Sequence, residues 1–259
     1  MLIAVLGLGE AGAAIAAALG AEGIAVRGYD PAGVQAPQGV EIADDPASAA
    51  NGATAVLSLN SAAAALGAAT SVAPALAPEA LFADLNTTAP QRKREIADAL
   101  GDAAARFADV ALTGPVPGNG LRTPALVSGP GAARFAELFG PLGMPVIEVG
   151  AEPGDAAARK LARSVFAKGL AAAIGESLAA AERLGCEEWL HADIERTLQG
   201  ADELLLQRFI EGSRTHAARR AEEMEAAVAM LDELELQPRV AAAARDWLRS
   251  LAAEGAGDE

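Results

Sequence analysis

Short apolar runs alternate with alanine-rich, helix-favouring stretches over the first 150 residues. Leu2–Leu6, Ile24–Gly28, Ala53–Leu57, Leu81–Asp84, Arg106–Val110, Pro124–Ser128 and Val146–Val149 read as short buried strands. Between them Glu10–Leu19, Asp44–Ala50, Gln91–Leu100 and Ala132–Leu138 read as helices, with Gly23 and Asn51-Gly52 as stops. Such alternation predicts an α/β domain built on a doubly wound, mostly parallel sheet. The pattern changes after Val149. Gly150–Gly154 is a turn-like break, and Asp155 to Leu184 then runs without proline as one long helix. Helical periodicity continues from there to a frayed end at Gly255–Glu259. The chain divides near residue 152, into an α/β domain (1–152) and an all-helical domain (153–259).

Composition narrows the class. The 259 residues carry a net charge of −15 and no long basic run, so nucleic acid is an unsuited partner. The first Arg is Arg27 and Glu10 interrupts the apolar start, which argues against a signal peptide. Ala53–Pro78 lacks a clean 20-residue apolar span, so no membrane helix is expected. Cys186 is the single cysteine, which rules out an intrachain disulfide and suits the cytoplasm. With only His191 and His216 beside it, a zinc site is not expected.

The first predicted strand runs into Gly7-Leu8-Gly9-Glu10-Ala11-Gly12, a G-x-G-x-x-G at the mouth of a helix. In a strand–turn–helix of this length the spacing predicts a Rossmann dinucleotide site. Gly7 permits the tight turn, Gly9 lets the backbone approach a pyrophosphate, and Gly12 lets helix and strand pack closely. The helix start offers N–H groups to the phosphates. Asp30, at the end of the second strand, is placed to accept the ribose hydroxyls and to repel a 2′-phosphate. No Lys or Arg follows in Pro31-Ala32-Gly33, so NAD is favoured over NADP.

Beyond the break, Lys160, Ser164 and Lys168 fall at i, i+4 and i+8 on one helix face. A lysine held near apolar surface can exchange protons with a hydroxyl or carbonyl, although spacing alone favours a snorkelling surface lysine. Thr87 is either a ligand contact or a helix cap before Pro90. Lys168 is either an anion anchor or a packed stem. His216, Arg219 and Arg220 form a positive cluster, read first as a solvated face pairing with Glu222 and Glu223. Trp189 and Trp247 read as core or interface anchors.

Several of these segments together resemble the β-hydroxyacid dehydrogenase superfamily, the relatives of 6-phosphogluconate and 3-hydroxyisobutyrate dehydrogenases. GLGEAG is similar to that family's GLGxMG, with Ala11 for Met. DLNTTAP (Asp84–Pro90) is similar to D-x-S-T-x-x-P, with Asn86 for Ser. DVALTGP (Asp109–Pro115) is similar to the substrate-binding DAPVSGG, and GDAAARKLARS to the segment bearing the catalytic lysine, which falls on Lys160. The C-terminal half resembles the short helical domain of phosphogluconate-dehydrogenase-like bacterial proteins. The chain departs from the family at Ser164 (for Asn), at Ala111, Thr113 and Pro115, and at Leu59-Asn60 (for Leu-Pro).

The resemblance implies hydride transfer between a nicotinamide cofactor and the hydroxyl-bearing carbon of a small carboxylate, with Lys160 as general acid/base. It implies that Thr113, Gly114, Ser164 and Lys168 face the substrate, that Leu59, Asn60 and Thr87 face the cofactor, and that the protein is a homodimer joined through its helical domains. Oxidative decarboxylation and imine reduction are alternative reactions on the same fold. A non-catalytic dinucleotide sensor is an alternative of another class.

Overall fold

The computed structural model describes residues 1–255, so residues 256–259 of the expected frayed end lie outside the described residues. The chain forms two compact units, Met1–Arg163 and Ser164–Glu259.

The first unit carries an eight-stranded sheet in the order β3-β2-β1-β4-β5-β6-β7-β8. In chain order its elements are β1 (Leu2–Leu6), α1 (Glu10–Ala21), β2 (Ala25–Tyr29), β3 (Val40–Ile42), α2 (Pro46–Ala50), β4 (Ala55–Ser58), α3 (Ala65–Val72), β5 (Leu81–Asp84), α4 (Pro90–Ala99), β6 (Phe107–Leu112), β7 (Ala125–Ser128), α5 (Ala132–Phe139) and β8 (Val146–Gly150). All neighbouring strands are parallel except β6 and β7. Side-chain alternation gives the sheet two apolar faces. Ile3 and Val5 of β1 join Ile15, Leu19, Val110 and Phe135 on one side. Ala4 and Leu6 join Val56, Phe82, Ile96 and Phe107 on the other.

Two elements escape the hydrophobic pattern. The three residues of β3 are centred on Glu41, which is exposed and paired with Arg27 at 3.2 Å. Helix α3 has Ala64 as its N-cap, with no capping side chain, and half of its residues are alanine or glycine. With neither a start signal nor a contrast between faces, nothing local marks it.

The long helix α6 spans Asp155–Leu184, and its opening turns belong to the first unit. The boundary between the compact units therefore falls inside α6, after Arg163. Its cause is polar bonding. Asp109 accepts the Gly154 and Ala157 N–H groups at 3.1 and 3.0 Å, and Arg163 donates to the Thr113 carbonyl at 2.7 Å. By length and composition alone α6 could cross a membrane.

The second unit holds the rest of α6 with α7 (Glu187–Gln199), α8 (Glu203–Thr215), α9 (Ala217–Glu233) and α10 (Arg239–Gly255). Its core is small: Ala180, Val228, Leu231 and Ala241. A carboxylate reinforces it. Glu176 of α6 accepts the Val240 and Ala241 N–H groups at 2.9 and 2.7 Å, capping α10 from a neighbouring helix. Glu176→Ala removes both acceptors and is expected to cost about 1–2 kcal/mol, read as a lower urea midpoint. An unchanged midpoint would show that water replaces the carboxylate at no loss.

Candidate functional site

The glycine-rich turn has the geometry its spacing predicts. Gly7 has φ +94°, and a Cβ there would lie 2.4 Å from the Leu59 carbonyl oxygen. A Cβ on Gly12 would lie 1.9 Å from the Gly7 carbonyl oxygen. Gly9 is different, because a Cβ there meets nothing within 4 Å among the described residues. Two glycines are thus demanded by the protein's own packing, while the third faces open space where a pyrophosphate can approach. Gly9 is also the N-cap of α1, and no side chain caps that end. Glu10 is exposed and Ala11 half-buried in the first turn, whereas Leu8 is packed into the core. The residues present therefore fit a dinucleotide.

Asp30 stands beside this turn. One carboxylate oxygen accepts the Leu8 N–H at 2.8 Å and the other the Ala32 N–H at 2.9 Å. It thus ties the glycine-rich turn to the end of β2 and keeps further lone pairs for a ligand. Arg27 is committed elsewhere. It pairs with Glu41 and donates to the carbonyls of Ser48 and Asn51 at 3.1 and 3.0 Å.

The C-terminal ends of β4, β5 and β6 bring the next residues to the same edge of the sheet. Leu59 and Asn60 follow β4, Thr87 follows β5, and Thr113 and Gly114 follow β6. Lys160 Nζ donates to Thr87 Oγ1 at 2.8 Å, across 73 residues of sequence. Thr87 is not a helix cap: α4 starts at Pro90, Ala89 is its N-cap, and no side chain bonds there. The Thr113 hydroxyl turns back onto the Pro124 carbonyl at 3.2 Å, which leaves only its lone pairs outward. Gly114, beside it, is half-buried. Ser164 and Lys168 belong to the second unit, where Ser164 is half-buried and Lys168 exposed. The cluster at His216 is a solvated face in part: Arg219 pairs with Glu223, and Arg220 donates to Ser213 Oγ at 2.8 Å.

A model of the NAD-binding domain of 6-phosphogluconate dehydrogenase matches residues 2–150. The chain belongs to this family. It is an NAD-binding, dehydrogenase-like family of oxidoreductases. A domain of unknown function, DUF1932, matches residues 181–251. A conserved hypothetical protein from Sinorhizobium meliloti 1021 is 34% identical, with 96% of this chain and 87% of that one covered and a TM-score of 0.63. A conserved protein described as structurally similar to 3-hydroxyacid dehydrogenases is 27% identical, with 98% and 99% covered and a TM-score of 0.64. An uncharacterized 28.5 kDa protein of Methanothermus fervidus is 27% identical over 144 residues, 56% of this chain; the match spans about half, 55%, of that protein. The imine reductase of Myxococcus stipitatus, in complex with NADP+, shares the fold at 19% identity, with 98% and 95% covered and a TM-score of 0.81.

What sequence reasoning missed lies beneath this edge. Asp84, Lys93 and Asp109 are fully buried, and Lys93 Nζ sits 2.8 Å from Asp84 Oδ2 and 3.0 Å from Asp109 Oδ1. It also donates to the Asp84 carbonyl at 2.8 Å. The Asn86 amide nitrogen donates to Asp84 Oδ1 and, at 3.0 Å, to Ser58 Oγ, which accepts the Asn60 amide at the same distance. Both asparagines that depart from the family pattern thus bond one serine. Their pairing across the strand ends was the available signal, hidden because the partner, Ser58, carries no motif. Asn86 Oδ1 and Thr88 Oγ1, on either side of Thr87, are buried without a hydrogen-bond partner among the described residues.

Gly12→Ala tests the turn. The added methyl must displace the Gly7 carbonyl, so NADH binding, followed by nicotinamide fluorescence, should be lost and the melting temperature should fall. Gly9→Ala, facing open space, should melt like the parent yet bind NADH more weakly. Equal behaviour of the two variants would contradict the geometry.

Proposed function

We propose that the protein is an NAD-dependent dehydrogenase that oxidises the hydroxyl-bearing carbon of a small carboxylate, or reduces the corresponding carbonyl. The observation that carries this reading is the 2.8 Å bond from Lys160 to Thr87 at the edge that also holds the glycine-rich turn. Gly7, Gly9, Gly12 and Asp30 would hold the dinucleotide, with Leu59, Asn60 and Thr87 nearer its nicotinamide end. When bound, NAD supplies the hydride acceptor. Lys160 takes the hydroxyl proton onto Nζ in oxidation and returns it in reduction, while Thr87 fixes where that nitrogen stands. Thr113 and Gly114 line the substrate side. The roles expected of Ser164 and Lys168 rest on their helical spacing from Lys160 and on the resemblance. The single cysteine is in keeping with work in the cytoplasm.

Two features support NAD over NADP. The Asp30 carboxylate opposes a 2′-phosphate, and Arg27, the nearest cation in sequence, is already occupied. Wild-type protein should bind NAD more tightly than NADP, and Asp30→Ala should weaken NAD more than NADP. Tighter NADP binding by the wild type would overturn the assignment.

We further propose that the chain works as a homodimer. The second unit leaves Phe166, Trp189, Leu204 and Phe209 between 56% and 70% exposed, and exposed apolar surface of this kind marks association. Sedimentation equilibrium should give twice 26.0 kDa. A concentration-independent monomer would refute it.

The reaction itself is tested at Lys160. Lys160→Arg keeps the charge but stays protonated, and Lys160→Ala removes both roles. Both should lower kcat by roughly 10²–10⁴-fold on a turned-over hydroxy acid, with NAD affinity unchanged. If Arg sustains the rate, Lys160 is an electrostatic anchor only. The fold shared with imine reductases favours imines as the second substrate panel. Turnover of imines but not hydroxy acids would move the chemistry from C–O to C–N.

A further inference from the structure

The chain is sparing with lysine. It has three, at positions 93, 160 and 168, among twenty cationic side chains. One carries the proposed chemistry, and another, Lys93, is buried where no ligand reaches. An arginine there would bring a planar fork too wide for the space between two carboxylates and a carbonyl, whereas an ammonium is a compact point charge. Position 93 is thus one of the few where this chain needs lysine rather than any cation.

The contacts of Lys93 lead to Lys160. Lys93 Nζ holds Asp109 Oδ1 at 3.0 Å. The other oxygen of Asp109 accepts the backbone N–H groups of Gly154 and Ala157, at the start of α6, and the Ser128 hydroxyl at 3.3 Å. Ser128 Oγ in turn accepts the Ala156 N–H at 2.9 Å. Three backbone N–H groups at the mouth of α6 are therefore fixed by two buried side chains. Lys160 follows on the same helix, three residues beyond Ala157. The second carboxylate of the cluster closes the loop, because Asp84 ends β5 and the chain then runs through Asn86 to Thr87, where Lys160 is bonded. Lys93 thus joins the strand that presents Thr87 to the helix that presents Lys160. Two carboxylates against one ammonium leave a negative charge, which the N-terminal dipole of α6 offsets.

We propose that Lys93 is a positioning residue. Acting through Asp109 and Ser128, it fixes the first turns of α6 and so sets Lys160 against Thr87. This rests on the reading of Lys160 as the proton-transfer group, but its main test does not. Because the chain has three lysines, selective isotopic labelling gives three side-chain signals, and the Lys160 signal is identified by its loss in Lys160→Arg. Ser128→Ala removes one of the ties to α6 with little change in volume. Lys93→Met removes the link itself. Ile96→Val, a core change on the same helix as Lys93, measures the effect of lost stability alone.

In Ser128→Ala and Lys93→Met the Lys160 signal should move towards that of exposed Lys168, and kcat should fall by about 10- to 100-fold, the scale of a small misplacement of a reacting group. KM and NADH affinity should hold within about twofold. Ile96→Val should leave signal and kcat as they are. If Lys93→Met does not fold, Ser128→Ala decides alone. A Lys160 signal unmoved in folded Ser128→Ala and Lys93→Met, or moved equally in Ile96→Val, overturns the proposal. Loss of the proposed reaction reads differently: the Lys160 signal would still respond to Ser128→Ala, while Lys160→Arg would leave turnover intact.

Discussion

Lys93 stands at 1% exposure between two carboxylates at 0%. Burying one ammonium and two carboxylates is costly, and the arrangement persists only because each oxygen is met. Asp84 receives the ammonium and the Asn86 amide; Asp109 receives the ammonium, the Ser128 hydroxyl and the mouth of a helix. Replacing such a cluster with apolar side chains often costs nothing in stability, whereas removing one member leaves an uncompensated charge worth about 3–5 kcal/mol. The cluster is therefore better understood as a constraint on geometry than as a source of stability. It joins β5, β6, α4 and α6 at one point, which is where the edge bearing Thr87, Thr113 and Lys160 must be held.

The glycine-rich turn is governed by a complementary constraint. At Gly7 and Gly12 the backbone packs too closely for any side chain, and at Gly9 an added Cβ would meet none of the described residues within 4 Å. One end of the sheet is thus shaped by close packing with a gap left open, and the neighbouring strand ends by buried charge. Asp30 connects the open turn to β2 through the Leu8 N–H. Its other oxygen meets the Ala32 N–H, so the glycine-rich turn and the end of β2 are held as one piece.

Elements whose sidedness is visible in the chain were legible in the sequence. The buried strands of the parallel sheet read as apolar runs, and α6 read to its ends because neither proline nor a turn interrupts it. Helix α3 and β3 were not legible, the first for lack of a cap and of polar contrast, the second because a strand of three residues has no period. The strand ends of the site were legible as motifs. The Gly150–Gly154 break is local and marks the end of the strand pattern, whereas the bonds holding the first turns of α6 to β6 and β7 join residues 28 to 48 apart and leave no local mark.

Long-range pairing also explains why Asn60 and Asn86 read as two separate departures from a family pattern. Each taken alone suggests a weakened site: an amide in place of a proline, and a longer side chain in place of a serine. In the fold both amide nitrogens point at Ser58 Oγ. With its nitrogen so engaged, the Asn60 amide is oriented by the strand end it follows. The two substitutions are therefore parts of one local network rather than two separate losses. Asn86 carries that network on to Asp84, and so to the buried cluster around Lys93.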